Sequence, residues 1–202
     1  MAIEQVNHVA LTLEEQLPIW LIVIPFVAAP LILLFGNKGL AWAVSFLATA
    51  FSLAISVILV LTLKDGGVIS YHIGGWAPPI GIEYRIDATN ALILMLISLI
   101  ATVALPYAYR SVMIEINPKH HTLFYASYML CFTGLMGIVV TGDAFNIFVF
   151  LEISSLATYI LVAMGAYKDK RALTAAYDYL ILGTIGATFF VIGIGFLYMA
   201  TG

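Results

Sequence analysis

The sequence predicts an all-α membrane protein of about six transmembrane helices, with a short extracytoplasmic β-hairpin or loop between helices 2 and 3. Three observations predict it. Of the 202 residues, 63% are hydrophobic and 9% are charged, whereas a soluble domain carries about 25% charged residues. The mean hydropathy is +1.07. Six apolar segments reach the roughly 20 residues that an ordinary bilayer core demands.

The first segment runs from Leu17 to Phe35 and the second from Leu40 to Leu63, separated by Gly36, Asn37, Lys38 and Gly39. The third runs from Ala88 to Tyr109, with Pro106 near its end. The fourth covers Thr122 to Gly142, the fifth Phe145 to Tyr167 and the sixth Leu173 to Ala200. Gly142, Asp143 and Asn146 break the fourth from the fifth, because the two together are far too long for one crossing. Between Lys64 and Asp87 lie Gly66-Gly67, Gly74-Gly75 and Pro78-Pro79, around the β-prone runs VISYHI and IGIEYRI. That pattern reads as a two-stranded hairpin on the membrane surface or an irregular loop. The whole chain, 1–202, reads as a single transmembrane domain.

Composition also excludes several classes. A net charge of −3 argues against a nucleic-acid partner. The single cysteine, Cys131, excludes an internal disulfide and a multi-cysteine metal site, and reads as a small apolar helix residue. No nucleotide-binding, metalloprotease or nucleophile-elbow pattern occurs, so no catalytic residue, cofactor or metal is expected and the chain is not an enzyme on its own. The N-terminal stretch MAIEQVNHVALTLEEQLP has no Lys or Arg and no small-residue cleavage site, so the first helix is expected to act as its own uncleaved insertion signal.

Basic residues orient the chain. With the N-terminus outside, the inner loops hold Lys38, Arg110, Lys119, Lys168, Lys170 and Arg171, against Lys64 and Arg85 outside. Both termini are then extracytoplasmic, in an inner membrane, and the acidic Glu4, Glu14 and Glu15 agree with that.

A carboxylate near the centre of a membrane helix costs about 2.5–3.5 kcal/mol on insertion scales. Glu152 lies nine residues past Asp143, which at 1.5 Å per residue places it roughly 13 Å from the outer end. Withdrawal from water favours a carboxyl's neutral form and a nearby cation its charged form. A site balanced between the two loads and releases a proton. Ser155, at i+3, shares its face and is placed to bond the carboxyl or hold a water. The competing reading is a static carboxyl that holds helices together. Asp178, five residues into the sixth segment, is a second candidate, or is solvated or paired with Lys170 or Arg171. Asp143 and Asp87 read as turn or N-cap residues. His120 and His121, in an inner loop beside Pro118 and Lys119, are a possible proton relay or plain surface histidines.

The run TGDAFNIFVFLEISSLATYILVAMGAYKDKRALTAAYDYLILGTIGATFFVIGIGFLYMATG resembles the antiporter-like proton-translocating subunits. These include the D component of Mrp-type multisubunit Na+/H+ antiporters and related membrane subunits of energy-converting hydrogenases and complex I. The upstream stretch GGWAPPIGIEYRIDATNALILMLISLIA resembles the outer hairpin and third helix of that family. The resemblance implies about fourteen helices in two inverted repeats, each with a broken helix. It implies that Glu152 matches a fifth-helix glutamate that pairs with a lysine on the broken seventh helix. This chain resembles only the N-terminal part, without that lysine, and carries Asp178 near a place where many relatives have a base.

A truncated product, or a split subunit completed by another chain supplying the C-terminal helices, is therefore expected. Other expected partners are the membrane subunits of a multisubunit antiporter or of a hydrogenase or complex I-like assembly, and the lipid bilayer. The expected function is cation/proton antiport with Glu152 as proton carrier. The alternatives are the pumping arm of an energy-converting hydrogenase or NADH:quinone oxidoreductase, and a non-conducting scaffold.

Overall fold

The structure, a computed structural model, describes residues 13–76 and 81–201. The stretch read for a cleavage signal lies largely outside those residues, as do Pro78-Pro79 and the chain ends. Among the described residues six α-helices form, all long and apolar enough to cross a membrane. They are α1 (Leu13–Phe35), α2 (Lys38–Leu63), α3 (Ala88–Glu115), α4 (His121–Val140), α5 (Ala144–Met164) and α6 (Arg171–Thr201).

Their ends follow from local chemistry. Gly36 takes a φ of +62° after α1, a conformation that costs glycine little, and Asn37 caps α2 by accepting from the Gly39 and Leu40 N–H groups. Asp87 caps α3 through the Asn90 N–H at 2.8 Å, and Asp143 caps α5 through the Phe145 and Asn146 N–H groups, as their positions predict.

The third helix runs six residues beyond the expected Tyr109, straight through Pro106. Proline removes one backbone donor and strains the turn before it. Two carbonyls in that turn are bonded from other helices: the Trp42 indole N–H donates to Leu105 O at 2.9 Å and the Tyr128 hydroxyl to Ala101 O at 2.8 Å. Packing against α2 and α4 thus holds the helix together across the proline.

The region between α2 and α3 folds as a hairpin. Strand β1 (Ile69–His72) pairs antiparallel with β2 (Glu83–Ile86), with Ile69 opposite Ile86 and His72 opposite Glu83. Tyr84 and Ile86 point inward, 4% and 0% exposed, while Arg85 faces out. Burial, with Tyr71 alongside, pushes the Tyr84 phenol up to about 12. The hairpin also grips the α4–α5 turn. Gly142 N–H donates to Glu83 O at 2.9 Å, Tyr84 forms a β-bridge with Thr141, and the Asn90 amide donates to Arg85 O and Val139 O.

The fourth helix is the most enclosed and packs on α1, α2, α3 and α5. Its apolar neighbours form two clusters, one toward the hairpin around Leu59, Leu94, Met136 and Phe150, and one toward the opposite end around Ile32, Leu105, Tyr125 and Met129. On α2, Ser45, Thr49, Ser52 and Ser56 are fully buried, and each hydroxyl donates to the carbonyl four residues back. Small, self-satisfied hydroxyls let neighbouring helices approach without an unpaired polar group.

A very close helix contact joins α4 and α5. A methyl group on Gly134 would stand 2.6 Å from Ser154 N and Cβ, and one on Gly137 would stand 2.2 Å from the Phe150 ring. A Gly134→Ala variant should therefore lose about 1–3 kcal/mol through forced separation of the two helices. Thermal unfolding of the detergent-solubilised protein should show a lowered midpoint, whereas Gly195→Ala, with open space around it, should not.

Candidate functional site

Glu152 is the ninth of the 21 residues of α5, close to halfway along the helix. The α4 contact decides which way it points. Phe150, Ser154 and Ala157 are buried, and Phe150 and Ser154 are the side chains seated against Gly134 and Gly137. Glu152 is two residues from each of Phe150 and Ser154, hence about 200° around the helix at 100° per residue. Its carboxylate is turned away from α4, toward the side of α5 where α6 packs.

That side is thinly covered. Within α6 only Ala176 and Ala187 are buried, and α5 is its one large neighbour. Glu152 is consequently half-buried, not enclosed. α6 shields one flank of the carboxylate, and no other described element covers the rest. The carboxylate has no hydrogen bond or ion pair among the described residues. Ser155 is half-buried beside it and is not bonded to it, while Ser154 is bonded to Leu151 O at 3.0 Å.

Asp178 is exposed on α6 and, among the described residues, is linked neither to Glu152 nor to the bases proposed for it. Arg171 instead pairs with Asp169 at 2.9 Å, and Lys168 with Glu115 at 2.7 Å. Hydrogen bonds from the Arg171 side chain and backbone N–H hold Asp169 below the usual carboxylate range. The Lys168–Glu115 contact places the α3–α4 and α5–α6 connections at one end of the bundle, away from the hairpin; this is the basic end.

His120 and His121 are also at the basic end but in different settings. His120 is exposed. His121 is 3% exposed, its Nε2–H donates to Ile116 O at 3.1 Å, and Nδ1 is buried without a partner among the described residues. The tautomer follows from the acceptor, since a carbonyl cannot donate.

Sequence reasoning missed Tyr159. It is 9% exposed, two turns from Glu152 on nearly the same face, with its ring packed edge-on against Tyr179 at 5.3 Å. Its hydroxyl abuts α6 where a methyl group on Gly183 would stand 1.9 Å away. The signal available was the i, i+7 spacing, which returns to one face of a helix. Asn146 was read only as a helix breaker. Its amide donates to Thr141 at 3.1 Å in a buried contact that ties the start of α5 to the end of α4.

The sequence and the fold have relatives. Residues 141–202 match the family model described as "NADH:quinone oxidoreductase/Mrp antiporter, TM". Over 94% of its length the chain is 39% identical to the N component of the NADH-quinone oxidoreductase of Desulforudis audaxviator (strain MP104C), spanning 38% of that relative. It is 32% identical over 90% of its length to the D component of the Na(+)/H(+) antiporter of Bacillus subtilis (strain 168), spanning 36% of it. Among solved structures, a chain of the membrane-bound sulfane sulfur reductase, an archaeal respiratory membrane complex, superposes with a TM-score of 0.83 at 30% identity, over 93% of this chain and 38% of that one. A chain of the Mrp complex from Dietzia sp. DQ12-45-1b gives 0.83 at 25%, over 95% and 35%. The chain thus spans a little over a third of the length of these relatives, and six membrane-crossing helices, the matched block around Glu152 and the shared fold place it in the antiporter-like membrane-subunit family of NADH:quinone oxidoreductases and Mrp antiporters.

Proposed function

We propose that this chain forms part of a proton-translocating subunit of a multisubunit cation/proton antiporter, in which Glu152 takes up and releases the proton. The observation that carries the reading is the place of Glu152. It stands close to halfway along α5, inside the matched block 141–202, turned from the core contact with α4, and it has no fixed partner among the described residues. A carboxylate tied into a bonded network would resist protonation changes, whereas one left without partners at membrane depth is responsive to the water and charge around it. Ser155 stands ready to hold a water beside it, and the exposed Asp178 and His120 lie toward the basic end as groups that collect protons, whereas His121 is sealed from solvent there.

A second reading is favoured by the identity to the NADH-quinone oxidoreductase relative and by the match to the respiratory complex: the same carboxyl serves the membrane arm of a redox-driven pump. The two readings share the carrier and differ in the partners that drive it. In both, the exposed face of α6, with Phe189, Phe196 and Leu197 outward, is available to further membrane helices, whether of a longer protein or of another chain.

In the assembled complex, Glu152→Gln should abolish ion-coupled proton movement in liposomes while co-purification of the other subunits stays normal. Unchanged transport would leave only the scaffold role. Mass spectrometry of the chains recovered with this one then separates the two readings, since iron–sulfur or hydrogenase subunits accompany only a redox-driven pump. We further propose that the basic end faces the cytoplasm across the inner membrane, with both termini outside. With the native cysteine replaced, Lys64→Cys should react with an impermeant maleimide on intact cells, and Lys38→Cys only after permeabilisation; the reverse pattern would invert the assignment.

A further inference from the structure

Between Glu152 and the basic end, α5 carries a largely buried tyrosine, Tyr159, whose hydroxyl forms no hydrogen bond among the described residues and is not sealed from its surroundings. A tyrosine hydroxyl that keeps access beside its apolar ring is placed to bond a water. This hydroxyl is held against the backbone of α6 at Gly183. The site is shaped around the oxygen, since any side chain at 183 would meet it.

The placement along the helix is informative. Seven residues separate Glu152 from Tyr159, about 10 Å of rise, and five more reach the end of α5 at Met164, about 7 Å. Tyr159 therefore stands between the basic end and the carboxylate, a little below midway. A gap of that size is bridged by roughly two or three waters at ordinary hydrogen-bond spacing. The half-buried state of Glu152 leaves its carboxylate open to such waters.

We propose that Tyr159 is a relay residue that passes protons between the basic end and Glu152, with Gly183 setting the position of its hydroxyl. The phenol need never ionise. As it donates its proton to a water on the Glu152 side, it accepts one from a water on the basic side, so one O–H bond breaks at Oη while another forms there. The water chain delivers the proton to a carboxylate oxygen of Glu152, which becomes a neutral carboxyl. Reversal of the same steps empties the site. Tyr179, edge-on against the ring, holds the phenol plane in place.

The inference rests on Glu152 being the proton carrier, and the test separates the two claims. In the assembled complex in liposomes, Tyr159→Phe keeps the ring contact and removes the hydroxyl. Transport should fall about tenfold, the rate equivalent of losing one hydrogen bond. The infrared carboxyl band of Glu152 should still appear, but its rise after a pH jump on the basic side should slow while its rise after a jump on the hairpin side does not. A packing role would slow both sides alike, and that symmetry, or unchanged transport, overturns the relay. If Glu152→Gln leaves transport intact, the carrier reading itself fails; if it abolishes transport while Tyr159→Phe is silent, only the relay fails. Should Tyr159→Phe not assemble, a fluorinated tyrosine at the same position keeps size and hydroxyl but holds its proton less tightly. It should shift the pH dependence of basic-side loading, and an unmoved profile overturns the proposal.

Discussion

The close approach of α4 and α5 at Gly134 and Gly137 is the contact on which the rest of the site depends. With no side chain on either glycine, Phe150 and Ser154 of α5 reach the backbone of α4. Lipid offers apolar side chains as good a solvent as a neighbouring helix, so association in a membrane relies on this kind of shape fit. Seating those two residues fixes the rotation of α5 about its axis. Everything on the opposite face, Glu152 and Tyr159 included, is thereby presented to α6. A carboxylate costly to place in a membrane is in this way kept off the lipid on one flank and out of the helix core on the other.

Depth is set separately from rotation. The hairpin holds the α4–α5 turn through the Gly142–Glu83 backbone bond and the Tyr84–Thr141 bridge, and Asn90 ties the start of α3 to both. Asp143 then caps α5 at a defined level, and Glu152 follows nine residues on. The surface hairpin is thus a depth gauge for the fifth helix: its inward Tyr84 and Ile86 rest in the same apolar cluster as Phe150. The α6 helix has no such anchor beyond its contact with α5. This accounts for the half-open state of the carboxylate.

Much of this was legible in the residues. Long apolar runs define spans whatever their neighbours, because the bilayer is the same solvent for all of them. Asp87 and Asp143 were legible as caps, since a cap is a bond between residues two or three apart. Pro106 was a weaker signal: the break it invites in α3 is overridden by Trp42 and Tyr128, which lie far away in the chain. The same holds for Asp178. Its proposed partner Arg171 is held by Asp169 two residues away, a shorter and less costly link than one reaching along the helix. His120 and His121 are neighbours in the chain, yet one is in solvent and the other is sealed under the end of α3.

By itself the sequence determined the class, the six spans, the helix caps and the presence of a carboxylate close to halfway along the fifth helix, and it left the region between the second and third spans as a hairpin or a loop. These depend on hydropathy and on bonds between near neighbours, which any chain of this order would form. Only the tertiary structure decided that Glu152 faces α6, that it is half-covered, that Asp178 stands apart from it, and that Tyr159 lies between it and the basic end. Those facts depend on which helix faces touch, and two glycines against a phenylalanine and a serine settle that by shape, which no pattern along a single helix contains.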